Sequence, residues 1–165
     1  MDRRKFLAAG AVGTAASALA APAIAQDKRQ WKMVTAWPKN LPGPGVAAQN
    51  LADRITTLSG GRIEVKLFAA GEIVPGPGVF DAVSEGTAEL YHAVPAYWGS
   101  KSKGILLFGS QPFGLRADEQ VGWLTHGGGQ ELYDEMYGRF GIKPFLCGNS
   151  GPQWGGWFKT EINSV

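Results

Sequence analysis

Apolar and polar residues follow one another along the chain in patterns that predict strands and helices in alternation. Residues 30–37 are aromatic and β-branched, which is typical of a strand. From Val46 to Leu58 the apolar side chains recur at helical spacing, and the run Ser59-Gly60-Gly61 ends that helix. Residues 63–67 alternate between apolar and charged side chains, which predicts a half-exposed strand.

The alternation of element types continues to Pro95. A turn-rich stretch leads to a short helix around residues 79–83, which Gly86 ends, and residues 89–94 predict a third strand. Strand, helix, strand, helix and strand in this order predict an α/β fold with a largely parallel sheet.

The second half of the chain has longer periodic stretches. Residues 117–138 are helical by periodicity, but three consecutive glycines at 127–129 should break the helix in two, since each costs ~1 kcal/mol relative to alanine. Residues 142–147 predict a fourth strand, in which Cys147 serves as a small buried apolar side chain, and residues 155–158 predict the start of a fifth.

The first 25 residues differ from the rest of the chain. Arg3-Arg4 is followed by Phe6-Leu7, then by an Ala-rich apolar stretch, and the segment ends in an Ala-x-Ala pattern at Ala23 and Ala25. This arrangement is typical of a twin-arginine export signal that is cleaved after Ala25. The alternative, a membrane anchor, is disfavoured because the stretch is short and rich in Ala, Gly and Thr.

The composition excludes several classes of protein. The 165 residues are enough for one ordinary hydrophobic core, and a single cysteine excludes a disulfide scaffold. Residues 1–25 hold three of the 16 basic and one of the 14 acidic residues, so the remainder has no formal net charge. A nucleic-acid binder needs a basic surplus, which is absent there. We therefore expect an exported protein of the bacterial periplasm whose mature chain is not stably inserted in the membrane.

The run from Gly43 to Ala48 has the form G-x-G-x-x-A and raises the alternative of a nucleotide-binding oxidoreductase. A dinucleotide site needs these glycines directly after the strand, whereas here a proline-containing loop intervenes, and the expected acidic partner, Glu64, lies inside a strand pattern. The same loop could instead offer the N–H groups of the following helix to a carboxylate.

Catalytic motifs are absent from the sequence. The two histidines, His92 and His126, have no nucleophile or metal-ligand partner at a recognised spacing, and we expect both to serve in packing. The sequence gives no reason to assign an enzymatic activity.

Aromatic and amide side chains instead follow three of the predicted strands, in the order Trp37, Tyr97, Trp98, Asn149 and Gln153. The loops at the carboxyl ends of parallel strands line the ligand crevice of an α/β sheet, where aromatic walls and a few amide groups make a small-molecule site. Each tryptophan could instead pack under its loop. Because three strand ends carry side chains of similar chemistry, a ligand crevice is favoured over packing for the set.

These features together resemble a known family. The export signal and the runs VTAWPKNLPG (34–43), GTAELYHA (86–93), HGGG (126–129) and GNSGPQWGGWF (148–158) resemble the substrate-binding proteins of TRAP transporters, the DctP type. The nearest likeness is to the branch that binds 2-oxo acids such as pyruvate.

The resemblance implies a type II periplasmic-binding-protein fold with two lobes, of which mainly the N-terminal one is present. Residues 26–150 would form that lobe, and residues 151–165 would begin the crossover to the second. The receptor would close around a 2-oxo or 2-hydroxy carboxylate and deliver it to an ion-coupled membrane permease, and the full-length form would be a homodimer.

The resemblance also suggests roles for single residues. Gln153 would contact both the ligand and a bound Na⁺ or Ca²⁺ that bridges to the carboxylate, and Asn149 would make a polar contact with the substrate. Tyr97 would supply a hydroxyl group, and Trp98, together with Trp37, an aromatic wall.

In one respect the sequence departs from the family. Members are longer, and an arginine that lies beyond the equivalent of Val165 clamps the carboxylate of the ligand. The arginines of the mature part all lie in predicted helices, strands or the N-terminal tail, away from the three loops: Arg29, Arg54, Arg62, Arg116 and Arg139. We therefore expect a truncated receptor. A further hypothesis is that the 165 residues have no function on their own, because an unmatched sheet edge and a half-built cleft leave them unstable.

Overall fold

A computed structural model describes residues 28–109, 111–151 and 156–163 of the chain. The predicted export signal and its cleavage site at Ala25 lie outside the described residues, and so does Gln153. Within the described ranges, no helix combines the length and the apolar character needed to cross a membrane.

A three-stranded parallel sheet forms the centre of the fold. Its order is β2-β1-β3, with β1 paired to both neighbours. The strands are β1 (Arg29–Thr35), β2 (Ile63–Phe68) and β3 (Leu90–His92). All three lie where the alternating and β-branched patterns predict them, and the register places Thr35 opposite His92.

In the described part of the chain, four helices and three short 3₁₀ segments surround the sheet. The helices are α1 (Pro44–Leu58), α2 (Val79–Ser84), α3 (Ala117–His126) and α4 (Gly129–Gly138). The 3₁₀ segments are Gly76–Gly78, Pro95–Trp98 and Lys103–Phe108. The α/β class predicted from the sequence is confirmed.

The two faces of the sheet bury different sides of β1. Met33 packs with Val65 and with Ala52 of α1 in one cluster, whereas the adjacent Val34 packs with Phe80 of α2 in the larger one. Since successive strand residues point to opposite faces, α1 and α2 cover opposite sides of the sheet. This is a doubly wound arrangement: α1 connects the central strand β1 to β2, and α2 lies on the connection from β2 to β3 at the other edge of the sheet.

The glycine run between α3 and α4 divides the predicted long helix, as expected. Gly128 has φ +79°, a left-handed conformation that glycine adopts without steric cost. A Cβ at Gly129 would lie 2.7 Å from the Trp123 ring, so close packing also requires glycine there. Backbone conformation and contact with Trp123 together, rather than low helix propensity alone, place the break.

The predicted fourth strand is wrong. Residues 142–151 have no strand among the described residues, and neither do residues 156–158. Ile142 is buried, but Phe145 is 68% exposed and Leu146 42% exposed, because no neighbouring strand covers them. For the same reason Cys147 is exposed and not the buried apolar side chain that the pattern suggested.

Candidate functional site

The strand order predicts a ligand crevice at the carboxyl ends of β1 and β3. The chain leaves β1 toward α1 on one face of the sheet, and it leaves β3 toward the 3₁₀ segment Pro95–Trp98. In doubly wound sheets, ligands bind where adjacent strands diverge in this way. The sequence therefore brings the loops after residues 35 and 92 together although they are far apart along the chain.

Trp37 connects the ends of all three strands. Its indole Nε1 donates a hydrogen bond to His92 Nδ1 at 2.8 Å, which joins the loop after β1 to the end of β3. Its backbone carbonyl accepts a hydrogen bond from Ala70 N at 2.9 Å, beyond the end of β2. The Thr35 hydroxyl donates to the same carbonyl at 3.1 Å. These bonds fix both the backbone and the ring of Trp37.

His92 is the polar residue on which this arrangement rests. It is 8% exposed, and its carbonyl accepts a hydrogen bond from Ala36 N at 3.2 Å. Because Nδ1 accepts the indole proton, the proton of the neutral imidazole is assigned to Nε2. Burial lowers the pKa of His92 below its ordinary value, since a charged imidazolium is poorly solvated there.

Tyr97 and Trp98 are adjacent in sequence but differ in environment. Tyr97 is 49% exposed, and its ring centroid lies 6.1 Å from that of Trp37. Trp98 is 3% exposed, packs 5.2 Å from the Phe80 ring and donates from Nε1 to Pro77 O at 3.1 Å. Tyr97 therefore has the accessible aromatic face and hydroxyl group, whereas Trp98 supports it from the core, as the packing alternative anticipated.

The third predicted loop is described only in part. Asn149 is exposed, and its Oδ1 accepts a hydrogen bond from Gly151 N at 2.9 Å. Among the described residues, no hydrogen bond joins Asn149 to Trp37 or Tyr97. The structure thus brings together Trp37, Tyr97 and Trp98, whereas the bond described for Asn149 is to Gly151, and Gln153 lies outside the described residues.

A shallow groove of about 510 Å³ lies beside this aromatic cluster, at the ends of β1 and β2. Its volume is within the range of small-molecule sites. Two lysines, two amide side chains and one carboxylate contribute to its wall, which is formed by Lys39, Asn40, Gly45, Gln49, Lys66, Leu67, Phe68, Ala69 and Glu72.

Comparison with known proteins shows the family. Residues 33–165 match the family described as DctP, bacterial extracellular solute-binding protein, family 7. The chain belongs to this family. The resemblance expected from the sequence motifs is confirmed.

Individual relatives agree with this assignment. The chain is 39% identical over 173 residues to a monocarboxylate 2-oxoacid-binding periplasmic protein of Nostoc sp., a match that covers all of this chain and 47% of that one. A TRAP periplasmic solute-binding protein of Colwellia psychrerythraea, solved with calcium and pyruvate, superposes with a TM-score of 0.79 at 38% identity, over 83% of this chain and 42% of that one. A TRAP protein of Pseudoalteromonas atlantica, solved with sodium and pyruvate, gives the same TM-score and identity over 82% and 41%. The chain thus spans less than half the length of these relatives.

Membership of the DctP family leaves the nucleotide-binding alternative without support. The loop geometry agrees, because a Cβ at Gly45 would lie 3.0 Å from Leu41 Cβ and 3.1 Å from Pro38 O. The space that this glycine leaves is filled by the loop's own backbone. In a dinucleotide fingerprint that close approach would serve the pyrophosphate.

The described residues do not by themselves complete a cation site of the kind that these DctP relatives contain. Among them, no group of three or more His, Cys, Asp or Glu side chains is placed to hold a metal ion. Asn149 Oδ1 is an oxygen donor of a type that Ca²⁺ accepts, but Ca²⁺ takes six to eight oxygen ligands.

The sequence motifs do not predict the contact of His92 with the site. They predict a packing role for both histidines; His126 lies on the exposed surface of α3, whereas His92 accepts a hydrogen bond from Trp37, a predicted site residue. The available signal was position: His92 ends the strand that precedes Tyr97, so it lies at the same sheet edge as Trp37. Arg29 lies in β1 and Arg54 in α1, as expected, whereas Arg62, Arg116 and Arg139 lie just outside the bounds of β2, α3 and α4. Arg29 and Arg62 are at the opposite, amino-terminal ends of β1 and β2.

Proposed function

We propose that the protein is the periplasmic substrate-binding component of a TRAP transporter and that its ligand is a small 2-oxo or 2-hydroxy carboxylate. The observation that carries this proposal is the pair Trp37 and Tyr97, which meets at the diverging ends of β1 and β3. Family membership and the pyruvate found in two relatives support the ligand class.

The chemistry of the site suits such a ligand. The ring faces of Trp37 and Tyr97 offer apolar walls for the carbon skeleton, and the Tyr97 hydroxyl can donate to an oxygen of the ligand. We assign the amide groups of Asn149 and Gln153 to the polar end. When Na⁺ or Ca²⁺ is bound, it would neutralise the carboxylate, and Gln153 is the residue proposed to hold it.

Localisation and partners follow from the same proposal. Export by the twin-arginine route, cleavage after Ala25 and delivery of the ligand to membrane permease subunits are assigned from the sequence signal and from the family. The protein then acts by binding and release and not by catalysis, and the homodimer of the full-length form stays a prediction.

Calorimetry with pyruvate in the presence of Ca²⁺ or Na⁺ tests the function. Both the 165-residue chain and a chimera, in which this chain replaces the matching part of the Nostoc relative, should be titrated. We expect the chimera to bind pyruvate, and Gln153→Ala to weaken that binding by roughly 10- to 100-fold, since a hydrogen bond to a charged group contributes about 1.5–3 kcal/mol.

The matched control is Gln30→Ala. Gln30 lies at the amino-terminal end of β1, exposed and away from the crevice, so its removal should leave pyruvate affinity unchanged. A chimera that folds but binds no 2-oxo or 2-hydroxy carboxylate would contradict the function. Equal losses from both glutamine variants would contradict the assignment of Gln153.

A further inference from the structure

The Trp37–His92 hydrogen bond joins the loop after β1 to the last residue of β3, and its acceptor is a histidine, a side chain that can take up a proton. The donor is an indole N–H, which has no acceptor capacity, and the acceptor is a ring nitrogen 2.8 Å away. The bond joins two elements that are 55 residues apart in sequence. It exists only while His92 Nδ1 carries no proton.

We propose that His92 is a positioning residue of the ligand site: its neutral imidazole holds the Trp37 indole in the crevice, and protonation of Nδ1 releases that ring. The inference rests on the proposed function for one point, that the crevice binds the ligand. The bond itself and its dependence on protonation rest only on the geometry described above.

Protonation removes the bond in a single step. An imidazolium has N–H groups at both nitrogens, so its Nδ1–H would face the Nε1–H of Trp37 at a distance of 2.8 Å. Two donors at that distance repel each other, and the new charge would be buried in a residue that is 8% exposed. The ring of Trp37 or the loop after β1 must therefore move for His92 to take up the proton.

The surroundings of His92 supply no competing charge. Thr35, opposite it on β1, and Trp37 are uncharged, and Tyr97 of the following 3₁₀ segment contributes an aromatic ring to the same cluster. Of the charged residues that line the neighbouring groove, Lys66 belongs to β2 and Glu72 follows it, whereas Lys39 lies in the exposed loop after β1. Among the described residues, burial is the cause that lowers the pKa of His92, and no charged side chain contributes to it.

Movement of Trp37 would disturb the site at more than one point. The Trp37 ring lies 6.1 Å from that of Tyr97, and the Trp37 carbonyl accepts bonds from Thr35 and Ala70. Ligand affinity should therefore be constant at neutral pH and fall as the pH drops through the lowered pKa of His92 in the folded protein. A single linked proton sets a limit of about tenfold per pH unit.

Three variants distinguish positioning from general structural support. His92→Asn keeps an oxygen acceptor near the position of Nδ1 but cannot be protonated between pH 5 and 8, so we expect affinity within about threefold of the parent at pH 7.5 and a flat pH profile. His92→Leu keeps the apolar bulk without an acceptor, and it should lose affinity at every pH. His126→Asn, which changes the exposed second histidine, should leave the parent profile unchanged.

The measurement has a readout that needs no ligand. In the 165-residue chain, the indole Nε1–H resonance of Trp37, assigned with Trp37→Phe, should shift between pH 7.5 and 5 in the parent and stay constant in His92→Asn. Pyruvate affinity of the chimera is then measured over the same range. A resonance that does not titrate, or a His92→Asn chimera that keeps the parent pH profile, would overturn the inference. A titrating resonance in a protein that binds no carboxylate would support the inference and contradict only the proposed function.

Discussion

At the scale of single residues, the indole N–H of Trp37 contributes to stability through its hydrogen bond to His92, apart from the packing of the ring. Trp37→Phe keeps an aromatic side chain but leaves His92 Nδ1 buried without its donor. An unsatisfied buried acceptor costs about 1–3 kcal/mol, so we expect a loss of this size in the free energy of unfolding, measured by urea denaturation at pH 7.5.

Trp157→Phe is the matched control for that substitution. The Trp157 side chain is 92% exposed, and a surface change of this kind alters stability by no more than about 0.5 kcal/mol. Equal effects of the two substitutions would show that the Trp37–His92 bond contributes nothing to stability.

At the scale of elements, the approach of α1 to the loop after β1 depends on Gly45. A Cβ there would lie 3.1 Å from Pro38 O, and this carbonyl belongs to the backbone and cannot rotate away as a side chain would. We expect Gly45→Ala to destabilise the protein by about 1–2 kcal/mol, as overpacking does, and to displace the residues that line the groove.

For Gly122→Ala in α3, which is the same chemical change, we expect the opposite effect on the free energy of unfolding. Gly122 is exposed in the helix, and an added Cβ would meet no atom within 4 Å. Alanine should therefore raise the free energy of unfolding by about 0.5–1 kcal/mol. If Gly45→Ala were also stabilising, the tight contact with Pro38 would not exist in solution.

The contrast between elements explains what the sequence can and cannot reveal. The first three strands and their helices were predictable because period-two and helical patterns are local, and the break at Gly128 was predictable from composition. The segment 142–147 has an equally apolar pattern, yet a strand needs a partner, and none is present among the described residues. Likewise, Trp37 and Tyr97 were predictable as strand-end residues, whereas the bond between Trp37 and His92 depends on strand order.

At the scale of the whole molecule, apolar burial is uneven along the chain. The main core joins α2, the 3₁₀ segments Pro95–Trp98 and Lys103–Phe108, and both later helices around Phe80, whereas Phe113 and Phe145 are largely exposed. Phe145→Ser should therefore change the free energy of unfolding by less than about 0.5 kcal/mol while it reduces binding of a hydrophobic dye.

Phe80 provides the contrast for this prediction. Its side chain is 1% exposed and contacts four aromatic rings, so Phe80→Ala should cost about 3–5 kcal/mol. Dye binding that is unaffected by Phe145→Ser would mean that residues 142–147 are covered in solution.

The stability of residues 26–165 should depend on pH in two separate ranges. Burial lowers the pKa of His92 in the folded state, so below the ordinary value near 6.5 the unfolded chain binds more protons and stability falls as the pH falls. One proton allows a slope of at most about 1.4 kcal/mol per pH unit. Hydrogen bonds from Lys143 and Gln130 lower the pKa of Asp134 in the folded state. The contribution of Asp134 to stability is therefore fully present above pH 3.8, its ordinary pKa, and is lost as the pH falls through the lowered pKa.

Thermal unfolding of this fragment, followed by circular dichroism from pH 7.5 to pH 3, tests both ranges and also the hypothesis that the isolated chain lacks a stable fold. A cooperative transition at pH 7.5 would contradict that hypothesis. We expect His92→Asn to remove the fall in melting temperature between pH 6.5 and 5, because it removes the only group assigned to that range. Lys143→Met should leave that range intact and change only the acid limb below about pH 4. Loss of both limbs in one variant would mean that His92 and Asp134 report one shared unfolding event and do not titrate independently.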